Sequence, residues 1–185
     1  MLRLALQLLS RKPTELAGSG LVGRAICATS NCAVWNNQSR TVITAGLIRA
    51  LSQSRVTARL ERASTIVLAQ WIGVWGGSSL EAATAPADLQ QLLSQTLVKH
   101  AGSLQYAAEA RACAVASVLL LKDIGVRLGP TVCAGLVAAA VGAVVAAGRG
   151  TAGGNSMPQL VAATELEEYV ASELRCWTAT GDRMQ

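Results

Sequence analysis

The chain has 185 residues, enough for one packed domain, with 51% hydrophobic and only 15% charged residues. Aromatics make up 3% and Phe is absent, which excludes a bulky aromatic core and points to Leu, Val, Ala and Gly. Five irregularly spaced cysteines exclude a paired disulfide framework. The net charge of +5 is uneven: residues 1–62 carry nine Lys/Arg against Glu15 and Glu61, residues 129–185 three Arg against five acids.

Residues 1–12 read MLRLALQLLSRK. On a helix, Arg3, Gln7, Ser10 and Arg11 form one polar stripe, and Leu2, Ala5, Leu6, Leu8 and Leu9 cover the other side. Pro13 stops the helix. An amphipathic, Arg- and Ser-rich, acid-poor start is the pattern of a mitochondrial transit peptide, with cleavage expected between Arg24 and Thr41. A secretory signal fits less well, because the apolar run 4–9 is only six residues and Ser10-Arg11-Lys12 follows it. Residues 13–40 are rich in Gly, Ser, Asn and Thr and predict little regular structure.

Helix signals dominate from Thr41. Arg55, Arg59 and Arg62 recur at i, i+4 and i+7 as a basic stripe. Residues 63–80 contain no charge, and Trp71 and Trp75 share a helical face. Gly76-Gly77-Ser78-Ser79 should end that helix. Pro86 and Asp88 open an amphipathic helix over 86–101, with Leu89, Leu92, Leu93, Thr96 and Leu97 on its apolar side. Lys99 and His100 occupy its last turn and Gly102 closes it. Another helix runs from about Leu104 to Lys122. After the turn at Gly125, Gly129 and Pro130 comes GPTVCAGLVAAAVGAVVAAG, residues 129–148, twenty residues without a charge. Residues 149–155 form a linker. Ser156 and Gln159 make a capping box for an acidic C-terminal helix with Leu166, Tyr169, Val170, Leu174 and Trp177 on one side.

The chain therefore reads as all-α: a bundle of about five helices, two or three of them Ala/Gly-rich, apolar and membrane-embedded. The candidate spans are 63–80, 104–121 and 129–148. Each approaches the roughly twenty residues a bilayer requires, although Glu109 and Arg111 weaken the second. Residues 129–148 hold five Val, one Leu, seven Ala and four Gly, so insertion is marginal and helical partners are expected. Gly135, Ala139 and Gly142 at i, i+4 and i+7 form a face on which another helix could pack closely. The basic stripe before the first span and the acids after it obey the positive-inside rule for three spans, with Arg55, Arg59 and Arg62 as a juxtamembrane anchor.

No catalytic, cofactor or metal motif holds up. GSGLVG at 18–23 has the glycine spacing of a dinucleotide loop, but Pro13 and Glu15 precede it instead of a strand. Asn36-Asn37-Gln38 stand where its acid belongs. Cys27 and Cys32 have no second pair, and His100 is the sole histidine. The arginine stripe lacks the interleaved aromatics of a nucleic-acid surface. The expectation is a small non-catalytic accessory or assembly component of a mitochondrial inner-membrane complex, partnered by other protein subunits and by lipid. The alternative is a soluble α-helical interaction module with a buried apolar central helix.

Overall fold

Every element of the computed structural model, which describes residues 58–149 and 157–181, is helical. Six α-helices follow one another among the described residues: α1 (Ala58–Trp75), α2 (Gly77–Ala82), α3 (Pro86–Leu93), α4 (Ala107–Ile124), α5 (Pro130–Arg149) and α6 (Met157–Gly181). The transit-peptide segment 1–40, Arg55 and most of the 149–155 linker lie outside the described residues, as does Ser156 of the capping box.

α4 is the central layer. α1 packs on one side of it and α5 on another, α2 folds back on its end, and α6 lies against both α4 and α5. The core is built from Leu68, Trp71, Ile72, Leu92, Leu97, Leu120, Leu121, Ile124 and Leu136, filled out by Ala110, Ala114, Ala140 and Ala143. Small side chains hold the helices close, which offsets the missing aromatic bulk by better contact.

The α1–α2 corner shows how glycine and one distant acid stop a helix. Gly76 takes φ 78, the left-handed region that a side chain rarely adopts. α2 then starts with no side-chain cap of its own. The Gly77 N–H donates instead to Asp123 Oδ2 of α4 at 2.6 Å. Trp71 Nε1 donates to Ser79 Oγ at 3.2 Å, and Arg127 pairs with Glu81 at 2.8 Å, so the corner is tied on three sides.

The helix expected over 86–101 changes character midway. After Leu93 it widens into a π-helical turn, Ser94–Val98, followed by a short 3-10 turn, Ala101–Ser103. Ser94 Oγ donates to the Gln90 carbonyl and Thr96 Oγ1 to the Leu92 carbonyl, back-bonds that accompany the widened turn. The expected apolar face survives: Leu89, Leu92, Leu93, Thr96 and Leu97 are all buried.

Two of the three expected spans are not continuous apolar helices. The 63–80 run breaks at Gly76, and α1 reaches back to Ala58, taking in Arg59, Glu61 and Arg62. The 104–121 run becomes α4, which starts at Ala107 and carries Glu109, Arg111, Lys122 and Asp123. Among the described residues only Pro130–Gly148, within α5, is long and apolar enough to cross a membrane, and 44% of it is buried inside the bundle.

Candidate functional site

Glu61, in the first turn of α1, is the one acid between Glu15 and Glu81. Lys99 Nζ donates to its two oxygens at 2.8 and 2.9 Å, and His100 Nε2 meets Oε2 at 2.7 Å. The Glu61 and His100 side chains are only 12% and 8% exposed, whereas Lys99 reaches solvent. Burial pushes the Glu61 carboxyl up, but the hydrogen bonds and charges of Lys99 and His100 outweigh it and hold it below the usual carboxylate range. Both oxygens are occupied. The arrangement joins the start of α1 to the segment that follows α3, across 38 and 39 residues of chain.

That segment lies on the small-residue face expected from the sequence. A Cβ at Gly135 would stand 2.7 Å from Val98 Cγ1, and one at Gly142 would stand 3.3 Å from the Gly102 Cα. Ala139, between them, is buried. Gly135 and Gly142 thus meet residues 98–102 of their own chain. Of the basic stripe, Arg62 is exposed, the Arg59 side chain lies outside the described residues, and so does Arg55.

The side of α5 turned away from buried Leu136, Ala140, Ala143 and Ala147 carries no charge and little cover. Thr131, Ala134, Ala138, Val141, Val145 and Gly148 are all exposed, with Val141 at 51% and Val145 at 47%. Their spacing alternates three and four residues, the 3.5-residue period of paired helices. The sequence contained this second stripe. What hid it was that every face of α5 is apolar, so periodicity could not say which would be outward.

α6 borders this surface. Leu166 and Val170 are buried, Leu174 and Trp177 partly so, and Lys122 pairs with Glu173 at 3.2 Å. Tyr169, expected on the same side, is 37% exposed. The Trp177 indole lies over Gly125, where a Cβ would stand 2.7 Å from Nε1. Glu165, Glu167 and Glu168 face solvent along the first half of the helix.

Burial pushes the Cys113 thiol up to about 12, with the Glu109 charge adding to it, so it stays protonated at neutral pH. Among the described residues no three His, Cys, Asp or Glu side chains gather into a metal-binding group. No family model, curated protein or solved structure matches the chain.

Proposed function

We propose that this chain is a non-catalytic helical interaction module, an accessory component of a larger assembly that docks on other protein subunits through the outer stripe of α5. The observation that carries the reading is that stripe: six uncharged exposed positions at alternating three- and four-residue spacing. The half-buried Glu61 cluster serves the fold, since both carboxylate oxygens are engaged by partners of the same chain.

A bilayer-spanning α5 is less well supported. α4 and α6 lie alongside it, and they carry Glu109, Arg111, Lys122 and Asp123, and Glu165, Glu167, Glu168, Glu173 and Arg175. Charges drawn to the bilayer centre cost about 2.5–3.5 kcal/mol each on insertion scales. The membrane-accessory reading keeps one support, the uncharged length of Pro130–Gly148, and the mitochondrial setting keeps another, the transit-like residues 1–12. The docking reading is tested with Val141→Asp/Val145→Asp in cells. Native gel analysis should show the tagged chain shifting from a larger species to its own size, with the melting temperature of the purified protein unchanged. An unaltered complex size overturns it.

A further inference from the structure

We infer that the side of α4 beneath α6 is an exchange site. It takes an acidic amphipathic helix of another subunit in place of α6, with a carboxylate of that helix on Arg111. This goes beyond the docking proposed for the outer stripe of α5 and does not depend on it.

Two contacts fix the direction of α6. Lys122 pairs with Glu173 at 3.2 Å, and the Trp177 indole lies over Gly125. α6 therefore runs along α4 in the same sense, with its early turns towards the start of α4. Arg111 precedes Lys122 by eleven residues, about three turns, so the two lie on the same side of α4 to within about 20°. Val115 and Val118 lie between them, one half-buried and one buried. This side of α4 is an apolar ledge with a cation at each end.

α6 matches only one of those ends. Lys122 has its carboxylate in Glu173. Arg111 makes no ion pair among the described residues, and its Nε is buried without a hydrogen-bond partner. Glu109, two residues earlier, falls on another side of the helix. The sequence of α6 gives the reason. Its first acid is Glu165, which is exposed, and position 162, eleven before Glu173, is Ala. A half-buried guanidinium offers the paired donors that suit a carboxylate.

α6 is also lightly held. Of its described side chains, Leu166 and Val170 are buried and Leu174 and Trp177 partly so, while Glu165, Glu167 and Glu168 face solvent. A helix with two acids eleven residues apart, and apolar residues at the turns between them, would keep the contacts of α6 and add one on Arg111. α6 is then the chain's own, weaker occupant of the ledge.

The probe is a synthetic peptide of the α6 sequence, residues 157–181, carrying Ala162→Glu. It is added in excess to the full nitrogen-15-labelled chain, and amide exchange of the labelled chain is followed by NMR. Exchange over residues 165–181 should speed up while the amides of α4 keep their protection. The unaltered peptide should need about ten times the concentration for the same effect, because it lacks one charge-assisted contact. On a chain carrying Arg111→Gln the two peptides should act alike. No response to the Ala162→Glu peptide overturns the proposal, and so does equal action of both peptides on the original chain. As a second measurement, which does not require Arg111→Gln to fold, Ala162→Glu in the chain itself should slow exchange over residues 165–181 about tenfold. Unchanged exchange there overturns the proposal too. The complex-size experiment in cells reads the α5 stripe alone, so its failure and the failure of the exchange site are distinguishable.

Discussion

Glu61 shows what one side chain contributes when the surrounding charge is of the other sign. Its carboxyl is held below its ordinary value of 4.5, so the folded state favours the ionised form. The resulting stability is fully present above the unfolded value and is lost as pH falls through the folded one. Glu61→Gln should therefore flatten the acid limb of stability against pH below about 4.5, read by denaturant melts at stepped pH. At neutral pH the same change should cost about 1–3 kcal/mol, because it leaves His100 and Lys99 facing a neutral amide. An acid limb identical to the unaltered protein's would sink this account. A lone acid within a basic stretch was visible in the sequence. Its partners were not, because they lie 38 and 39 residues away and only the packing of α1 on the post-α3 segment brings them together. Gly76 is a second residue with a definite cost. Its φ of 78 and the 2.9 Å that a Cβ would leave to Asp123 Oδ2 act together. Gly76→Ala should lower stability by about 1–3 kcal/mol and loosen α2, seen as faster amide exchange at Gly77.

At the scale of elements, apolar periodicity was informative wherever a helix has a polar side. The α3 face and the α6 face were both legible, and the stop at Gly76 was marked by Gly-Gly-Ser-Ser. Helix starts were less so: Tyr106 before α4 makes no side-chain cap, so no hydroxyl or acid cap marked Ala107. The widened turn after Leu93 was hidden because the apolar spacing of 89, 92, 93, 96 and 97 fits a regular helix equally well. Among the described residues, α6 sets two buried side chains and two half-buried ones against the bundle, with an exposed ion pair beside them. Burying a Leu or Val contributes about 1.5–3 kcal/mol, and the exposed Lys122–Glu173 pair adds little by comparison. Trp177→Ala should free α6 from the Gly125 end, with amide exchange rising over residues 170–181 while α4 stays protected. Equal loss of protection in both helices would mean that α6 is integral to the fold instead of docked on it.

For the whole molecule, composition and length raised the question of lipid, and the neighbours of α5 bear on it more than α5 does. The expectation of several spans treated each apolar run as independent. Folding joins 63–80 to the charges of its own first turn and cuts it at Gly76, leaving Pro130–Gly148 of α5 as the only long uncharged helical run among the described residues. Among the described residues, α5 spends one side on α4, a second on residues 98–102 and a third on α6, and its outer stripe is left exposed. Val141 lies near the middle of that stripe and is half exposed, which makes Val141→Lys a discriminating change. In a bundle bathed by water, Lys at this position reaches solvent and should shift stability by no more than about 0.5 kcal/mol. In a bilayer, the same ammonium near the centre of the helix costs about 2.5–3.5 kcal/mol of insertion, enough to abolish an already marginal span. Carbonate extraction of organelle fractions reads the difference. The bundle reading expects the original chain and V141K to be released equally into the supernatant. Retention of the original chain in the pellet, with release of V141K, would establish lipid as the solvent of α5 and would turn its three packed sides into the helical partners that a weakly hydrophobic span requires.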